Sequence, residues 1–347
     1  MRLLLICPSW GRQCGIAWYT KNLRRGLESL GLETEVAVRP EDLEERLRLG
    51  AFDGILMQHE YGLYYFNLVQ ILNLVEKARA PLAITMHNTD NTGWMAAQHI
   101  FLFRGRARFV VHSEAAVRNM SLDRQGPSPD RLSVIPMGCP TFDGSLISAV
   151  EVRRRLGLAP ERFAVGFFGF ASIHKEIPNL IRAILAKPYL DGYIHATTHP
   201  TNPRAVDDIY RECGLTRSLS GRGTFRNLTL CHDPIPDEEF GAHQRAMDAI
   251  VLPYTHHGKS VSTSMMAHEA IASSRPVMTT SVVYFSDLRD EVLKIADSSP
   301  ESIGKGLARL YRDQGLRRRL VHSASRYVKA NAWPAVARRY LDVLGLS

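Results

Sequence analysis

The segment 252–277, LPYTHHGKSVSTSMMAHEAIASSRPV, holds the residue types best suited to bind an anion and a sugar together. An apolar run ends at Pro253, a loop rich in glycine, serine and threonine follows, and an apolar helix then carries one carboxylate, Glu269. Small residues let backbone N–H groups approach an anion, and a helix start adds the positive end of its dipole. A carboxylate there can accept hydrogen bonds from hydroxyl groups. The pattern predicts a site for a phosphate joined to a sugar, with candidate contacts from Ser260, Ser262, Thr263, Ser264 and Glu269.

A second candidate for phosphate binding lies in the segment 166–184, GFFGFASIHKEIPNLIRAI. A strand is followed there by a glycine turn, a polar loop and an apolar helix. Lys175 stands close to the predicted helix start, where an ammonium group can pair with a phosphate. A solvated lysine is the alternative interpretation.

Two histidines close apolar strands in the first half of the chain. His59 stands in LMQHEYG and His87 in ITMHNTD. A polar side chain that ends a buried strand emerges at the edge of the sheet, where ligands bind in α/β folds. One such histidine is usually structural, and a structural role stays open for this pair. Two on different strands of the same sheet make a catalytic role the other interpretation, with Glu60 as the alternative catalytic acid. Their spacing gives no metal-ligand cluster.

A pair of glycines follows the first predicted strand, in CPSWGRQCGIAWYTKNL. Gly11 and Gly15 bracket a turn before a helix. Gly15 is a candidate for close approach to a ligand, and an ordinary strand-to-helix turn is the alternative.

These candidates are positioned by a regular alternation of strands and helices, which predicts parallel sheets covered on both faces. The predicted strands cover 3–7, 33–39, 53–59, 82–87, 107–113 and 132–138, then 163–170, 190–198, 227–234, 246–254 and 276–280. The rhythm restarts after 140–147, which predicts a first domain over 1–148, a second domain over 149–330 and a final helical segment over 331–347. A crevice at the C-terminal strand ends is the expected binding site.

Bulk properties are those of a globular protein of two domains. The chain has 347 residues, of which 45% are hydrophobic and 22% charged, and no apolar run reaches the length of a membrane-spanning helix. The opening MRLLLICPSW is expected to be a buried strand and not a signal peptide. Five scattered cysteines without CxxC spacing favour a reducing, cytoplasmic setting.

The net charge of +8 comes mainly from a C-terminal series of arginines. A solvated helix face is the ordinary interpretation of such a series. An anionic membrane surface or an anionic substrate is the alternative. Nucleic acid is not expected as a partner, because no aromatic interleaving or known binding motif accompanies the charge.

Taken in order, several segments resemble the retaining GT-B glycosyltransferases of family 4 (glycosyl transferases group 1). They are VIPMG at the end of the first half, the Lys175 segment, DAIVLPY, HEAIASSRPV and a Trp-x-x-x-Ala-x-x-Tyr tail. The resemblance covers nearly the whole chain. It implies an α/β GT-B fold with two Rossmann-like domains facing a central cleft, and a C-terminal helix that crosses back to the first domain. The first domain would bind the acceptor and the second the nucleotide sugar.

The resemblance also implies roles for individual residues. Glu269 would hold the ribose hydroxyls of the donor, the serine-rich loop and Lys175 would meet the diphosphate, and Gly15 would approach the diphosphate and acceptor. His87 would lie near the transferred sugar. The turn next to the nucleotide base comprises His232, Asp233, Pro234 and Ile235. Two usual donor-site residues are replaced, an arginine by Phe170 and a first glutamate by Val261.

The implied function is retaining transfer of a sugar, hexosyltransferase-like, from a nucleotide diphosphate sugar to an acceptor hydroxyl. Such transfer serves polysaccharide, glycolipid or glycoconjugate synthesis, and the acceptor would be a sugar, a lipid-linked molecule or a protein. Neither a metal nor another cofactor is required. The expected setting is cytoplasmic, with peripheral contact at the inner membrane face. The alternatives are a non-catalytic GT-B module that partners another transferase and another nucleotide-sugar enzyme such as an epimerase.

Overall fold

The computed structural model describes residues 1–90, 92–103, 105–122, 126–142, 147–199, 202–216, 221–256 and 258–347, without the side chain of Trp94. The described chain divides into two compact units. The first unit comprises Met1–Cys139, Gly258–Met265 and Ala330–Ser347, and the second comprises Pro140–His257 and Met266–Lys329. The predicted domain limits along the chain stay a prediction.

Short strands account for both sheets. They are β1 (Arg2–Ile6), β2 (Glu33–Ala37), β3 (Gly54–His59), β4 (Leu82–Met86), β5 (Asn88–Thr89), β6 (Arg108–Val111), β7 (Leu132–Val134), β8 (Phe163–Phe170), β9 (Leu190–Thr197), β10 (Arg222–Phe225), β11 (Leu228–Cys231), β12 (Ala249–Leu252), β13 (Val261–Ser262), β14 (Val277–Thr280) and β15 (Val292–Ile295).

Helices alternate with these strands along the chain. They are α1 (Gly15–Glu28), α2 (Pro40–Leu49), α3 (Leu68–Ala78), α4 (Gly93–Leu102), α5 (Glu114–Ser121), α6 (Ala149–Arg155), α7 (Ile177–Leu185), α8 (Ala205–Cys213), α9 (Asp237–Arg245), α10 (Met265–Ala272), α11 (Pro300–Arg312), α12 (Gln314–Ala330) and α13 (Trp333–Leu344).

The first unit contains a parallel sheet of six strands in the order β2-β1-β3-β4-β6-β7. Its central strands are near-continuous apolar runs, as expected where helices cover both faces of a sheet. Leu3, Leu4 and Leu5 of β1 are fully buried on the two faces. The C-terminal strand ends place the segments after β1, β3 and β4 along one edge.

The C-terminal helix α13 packs on α1, as predicted for the tail of the chain. Trp333, Val336 and Tyr340 lie on its buried face. The hydroxyl of Tyr340 is 2.8 Å from that of Tyr19 on α1 and 2.7 Å from Thr85 Oγ1 on β4. Burial raises the pKa of Tyr340 to about 12, so this chain of hydroxyls stays neutral.

Close approach of α1 and α13 depends on glycine. A Cβ at Gly26 would stand 2.6 Å from the carbonyl oxygen of Trp333. We therefore expect Gly26→Ala to lower the free energy of unfolding by about 1–3 kcal/mol, because the two helix backbones must separate. Urea denaturation measures the change. Gly15→Ala is the control, since a Cβ there meets nothing within 4 Å, and equal destabilisation by both variants would contradict the packing argument.

The second unit contains a sheet of seven strands in the order β10-β11-β9-β8-β12-β14-β15. All its neighbouring pairs are parallel except the β10–β11 hairpin. This hairpin turns at Arg226, whose φ of 53° lies in the left-handed region. The predicted pair of Rossmann-like sheets is confirmed.

The two longest helices of the second unit, α11 and α12, carry much of the basic C-terminal series. Their buried faces hold Ile303, Leu307 and Leu310 on α11 and Leu316 and Leu320 on α12. The opposite faces carry most of the arginines. Within the described ranges, no helix combines the length and apolar character needed to cross a membrane.

Candidate functional site

Lys175 lies just before a helix at the C-terminal edge of the second unit's sheet. Strand β8 ends at Phe170, a single 3-10 turn covers Ile173–Lys175, and α7 begins at Ile177. Glu176 between them has a φ of 48°, a left-handed conformation that turns the chain sharply into the helix. The turn therefore brings the lysine to the positive end of the α7 dipole, as the sequence predicted.

The Lys175 ammonium group has aromatic neighbours and no carboxylate partner among the described residues. Its Nζ lies 5.5 Å from the ring centre of Tyr254 and 5.9 Å from that of Phe170. Burial lowers its pKa to about 8. A Cβ at Gly169 would approach Nζ to 3.0 Å, so the glycine keeps room around the amine. A desolvated cation of this kind favours an anionic ligand.

Three neighbouring strands of the second unit send their following segments to Lys175. The backbone N–H of Thr255, after β12, donates to the carbonyl of His174 at 2.7 Å. The ring of His199, after β9, meets Phe170 edge to face at 4.9 Å. Burial and the nearby Lys175 charge lower the pKa of His199. The ends of β9, β8 and β12 thus build one wall with a cationic centre.

Phe170 occupies the position where the resemblance implies an arginine. Its ring contacts both Lys175 and His199 instead of a ligand phosphate. The aromatic ring attracts the ammonium group electrostatically and holds it in place. Among the described residues of this wall, Lys175 is the cation that Phe170 holds in place.

Glu269 lies on the short helix α10 of the second unit and is 4% exposed. Its neighbour His268 is fully buried, and His268 Nε2 lies 2.8 Å from Asp287 Oδ2 and 3.2 Å from the hydroxyl of Tyr327. Tyr327 also donates to Asp287 Oδ2 at 3.2 Å. This group, the His268 triad, fixes the helix that carries Glu269.

The serine-rich loop belongs to the first unit and pairs with the strand that follows His87. Strand β13 runs antiparallel to β5, with Val261 opposite Thr89 and Ser262 opposite Asn88. Asn119 Nδ2 donates to the carbonyl of Lys259 at 2.9 Å and holds the start of the loop. The loop, including the half-buried Ser260, Thr263 and Ser264, therefore lies beside the end of β4 within this unit.

An unpaired polar atom marks this part of the first unit. The buried side-chain oxygen of Asn88 has no hydrogen-bond partner among the described residues. Buried polar atoms of folded proteins nearly always have a partner, so such an atom is a candidate ligand contact. Asn88 was not singled out from the sequence, although its place directly after His87 could have suggested it.

His87 and His59 are held neutral by their surroundings. His87 Nε2 lies 2.9 Å from Gln58 Oε1, and burial lowers its pKa well below the ordinary value. His59 is fully buried, its Nε2 lies 3.1 Å from Gln98 Oε1, and burial lowers its pKa to about 4. A neutral imidazole can donate or accept a hydrogen bond at neutral pH, but neither ring is charged there.

Acidification is expected to destabilise the first unit through His59. The unfolded chain binds the histidine proton near pH 6.5, whereas the folded chain binds it near pH 4, so the free energy of unfolding falls as pH drops between these values. The expected loss is about 2 kcal/mol from this residue. The His59 ring stacks on Tyr64 at 5.4 Å, a contact that the ring of His59→Phe can keep. In urea denaturation from pH 7 to 4.5, the free energy of unfolding of this variant should fall less with decreasing pH than that of the wild type.

A matched control for this experiment is His322→Phe, since His322 is an exposed histidine. The control should keep the wild-type dependence of the unfolding free energy on pH. An unchanged slope in His59→Phe would contradict the pH dependence assigned to the buried ring.

Glu60 and Gly15 lie near other strand ends of the first unit. Glu60 Oε2 accepts the N–H of Gly62 at 2.9 Å and caps the 3-10 turn Tyr61–Tyr64, while burial raises its pKa. Gly15 is the first residue of α1, after β1. Open space surrounds its Cα. Both therefore stand at the sheet edge that the sequence predicted, with His87 at the end of β4.

The turn after β11 has a histidine whose two ring nitrogens are both occupied. His232 Nδ1 lies 2.8 Å from the carbonyl of Ala196, and Nε2 lies 2.8 Å from the hydroxyl of Tyr210. His195 Nε2 lies 2.8 Å from the carbonyl of Asp233. The ring of His232 thus holds the turn, while Asp233 and Pro234 are exposed and Ile235 is half-buried.

The described residues contain no group of three or more His, Cys, Asp and Glu side chains arranged to hold a metal ion. The strand ends carry Lys175, hydroxyl groups, neutral histidines and the carboxylates of Glu60 and Asp233, and α10 carries the buried Glu269. Such groups suit a phosphate and the hydroxyls of a sugar or ribose.

No protein-family model matches the sequence, and no curated protein matches it. Solved structures do. HepE of Anabaena, in complex with UDP and glucose, has a TM-score of 0.76 at 14% identity, over 99% of each chain. Sucrose-phosphate synthase from Thermosynechococcus elongatus has a TM-score of 0.75 at 14% identity, over 100% of each chain.

A third match is WaaG, a glycosyltransferase involved in lipopolysaccharide biosynthesis. Its TM-score is 0.68 at 12% identity, over 99% of each chain. All three are similar to this chain along its whole length. At these identities the likeness concerns the fold, and the predicted GT-B fold is confirmed.

Proposed function

We propose that the chain is a retaining glycosyltransferase, hexosyltransferase-like, that moves a sugar from a nucleotide diphosphate sugar to an acceptor hydroxyl. The observation that carries the proposal is the Lys175 ammonium group at the start of α7, which is desolvated and has no carboxylate partner in the described part of the chain. The departing diphosphate is the anion that such a group would bind. The bound UDP, glucose and UDP-glucose of HepE support a uridine donor with a glucose-like sugar.

In the proposed reaction the bond between the anomeric carbon and the donor phosphate oxygen breaks as the acceptor oxygen attacks the same face. The acceptor proton passes to the departing phosphate, so no protein nucleophile is needed. Lys175 and the α7 dipole stabilise the charge that develops on the diphosphate. Neither a metal nor another cofactor takes part in this scheme.

The remaining site residues are assigned by chemistry. Glu269 would accept hydrogen bonds from the ribose hydroxyls, and Ser260, Ser262, Thr263 and Ser264 would contact phosphate or sugar. The neutral ring of His87 would hydrogen-bond the transferred sugar, since it stands beside the loop in the first unit. His59 and Glu60, one fully buried and one capping a turn, would position that strand end.

The base would lie against the turn His232, Asp233, Pro234 and Ile235, and Gly15 would allow the diphosphate or acceptor to approach. We place the enzyme in the cytoplasm, at the inner membrane face where its acceptor requires it. The acceptor is a sugar, a lipid-linked molecule or a protein.

Donor binding tests the proposal directly. Thermal-shift measurements with UDP-, GDP-, CMP- and dTDP-sugars should show stabilisation by a UDP-sugar, and release of UDP should follow when an acceptor is added. A folded protein that no donor stabilises would contradict the enzyme and favour a non-catalytic module, the alternative that Phe170 and Val261 suggest.

A further inference from the structure

A cavity of about 710 Å³ opens in the second unit, away from the strand ends that hold Lys175. Its floor includes Phe163, Asp248 and Pro276, which begin or directly precede β8, β12 and β14. These three strands are parallel neighbours, so their N-terminal ends lie side by side at one edge of the sheet. Lys175 follows the opposite end of β8, a strand of 8 residues that spans about 25 Å. The cavity is therefore separate from the proposed donor site.

Basic side chains dominate the charge of this cavity. Arg162, Arg275, Arg317 and Arg318 line it, together with His322. The lining carboxylates are Glu161 and Asp248, and Asp248 already accepts from Arg153 at 3.0 Å and from the N–H of Ala164 at 2.8 Å. Positive charge thus exceeds negative charge where the cavity meets solvent.

Among the residues that the structure describes, three of the four arginines lining the cavity have no carboxylate partner, whereas Arg162 pairs with Asp191 at 3.0 Å. Arg275 Nε donates to the carbonyl of Arg245 at 2.8 Å, and burial lowers its pKa. Arg317 donates to the carbonyls of Leu310 and Tyr311 at the end of α11. None of Arg275, Arg317 and Arg318 has a carboxylate within ion-pair distance among the described residues. Such guanidinium groups match the oxygens of a phosphate in geometry as well as charge.

Two further features favour a phosphate ester over a bare ion. The ring of Tyr311 lines the cavity and is 43% exposed, which offers an apolar face to a sugar or another organic group. The volume also lies in the range of small-molecule sites.

We propose that this cavity, the arginine cavity, binds a phosphate monoester, with the phosphate on the guanidinium groups and the organic part against Tyr311. The ligand is either a free phosphorylated sugar or the headgroup of a lipid phosphate. Binding here is independent of donor turnover, because the two sites stand at opposite edges of one sheet.

Calorimetry with glucose 1-phosphate on the full chain tests the proposal. A Lys175→Met background removes the main cation of the donor site, so binding that persists there belongs to the cavity. Arg318→Gln in that background should weaken binding at least about tenfold, since a charge-assisted hydrogen bond contributes roughly that factor. Arg318 is exposed and bonded to Gln314 alone among the described residues, so folding is not at risk.

Arg319→Gln is the matched control, the same change on the next residue of α12. Arg319 is 69% exposed in its side chain, pairs with Asp313 at 3.9 Å and does not line the cavity. In the Lys175→Met background, Arg319→Gln should leave the affinity for glucose 1-phosphate unchanged. Equal binding by Arg318→Gln and the background would overturn the proposal.

Flotation with phosphatidylcholine vesicles, with and without phosphatidic acid, separates the two sources of phosphate. Binding to phosphatidic acid that Arg318→Gln loses, without glucose 1-phosphate binding, supports a lipid headgroup. Glucose 1-phosphate binding that Arg318→Gln weakens supports a free ester. If the Lys175→Met background binds neither glucose 1-phosphate nor phosphatidic acid vesicles, the proposed site is overturned. If only the nucleotide sugars fail to stabilise the protein, the proposed function is contradicted but phosphate binding in the arginine cavity is not.

Discussion

Lys175→Met is expected to lower kcat/KM for the UDP-sugar by about 10²–10³, because it removes the charge that stabilises the departing diphosphate. The change replaces an ammonium group between the rings of Phe170 and Tyr254 by a thioether, which packs well against aromatic rings. Steady-state kinetics with an acceptor, or donor hydrolysis without one, measures the loss. Lys305→Met, at an exposed lysine of the same unit, should keep wild-type activity.

The same residue predicts a pH dependence with a definite sign. A pKa of about 8 means that the ammonium group carries its charge below pH 8 and loses it above. Since kcat/KM reports groups of the free enzyme, it should fall as pH rises through 8. Lys175→Arg should shift the fall in kcat/KM to higher pH. Lys175→Met should have a low kcat/KM at every pH, without a fall near pH 8. A wild-type profile without a fall near pH 8 would contradict the assignment.

Stability separates loss of function from loss of fold in this variant. The unfolded lysine binds its proton up to pH 10.5, so at pH 7 the folded state holds a desolvated cation and is destabilised by it. Removing the charge is expected to stabilise the free protein by about 2 kcal/mol, or roughly 4–8 °C in Tm. A variant that is less active and less stable than the wild type would point to disrupted packing instead.

The alternation of buried strands and amphipathic helices was visible in the sequence because parallel strands covered on both faces are continuous apolar runs. Predicted strands such as 163–170 therefore match β8 to the residue. Strand β15 was missed because it is four residues long and carries Lys294. Strand β10 was missed because its hairpin depends on a left-handed Arg226, which no turn signature announces.

The candidate site was predictable where its geometry is local. The place of Lys175 just before a predicted helix and that of Glu269 on a short apolar helix follow from the local sequence, whereas the ring of Tyr254 beside Lys175 comes from the segment after β12. Non-local parts were not predictable. Val261 pairs with Thr89 across 172 positions, and the His268 triad joins residues 19 and 59 positions apart. No periodicity in one sequence reports such contacts, because they depend on how the strands are ordered in the sheet.

The Glu269 carboxylate is expected to control donor affinity. Glu269→Gln keeps the shape of a side chain that is 4% exposed but removes its charge. Hydrogen bonds to a charged group contribute about 1.5–3 kcal/mol, so KM and the dissociation constant for the UDP-sugar should rise about 10- to 100-fold, with a smaller change in kcat. Calorimetry with UDP measures the affinity, and Glu301→Gln at an exposed glutamate is the control.

A deoxy ligand shows whether Glu269 acts on the ribose. The wild type should bind 2′,3′-dideoxy-UDP more weakly than UDP, whereas Glu269→Gln should show a smaller difference between the two ligands, because its neutral amide oxygen accepts hydrogen bonds more weakly than the carboxylate. The coupling energy between the Glu269→Gln substitution and the removal of the ribose hydroxyls measures the contact between them. Full discrimination by Glu269→Gln would place the ribose elsewhere.

The His268 triad extends the same prediction to residues that do not touch the donor. Asp287→Asn weakens the acceptor for His268 Nε2 without changing Glu269 itself. The helix that carries the glutamate should therefore be less well fixed. We expect a rise of about tenfold in the dissociation constant for UDP, with the loss of ribose discrimination only partial. Tyr327→Phe, which removes one hydroxyl from the same group, should have a smaller effect in the same direction. The opposite outcome is that Asp287→Asn destabilises the fold while its folded fraction binds UDP and 2′,3′-dideoxy-UDP as the wild type does. In that case the triad would serve packing alone, and Glu269 would be positioned by the rest of α10.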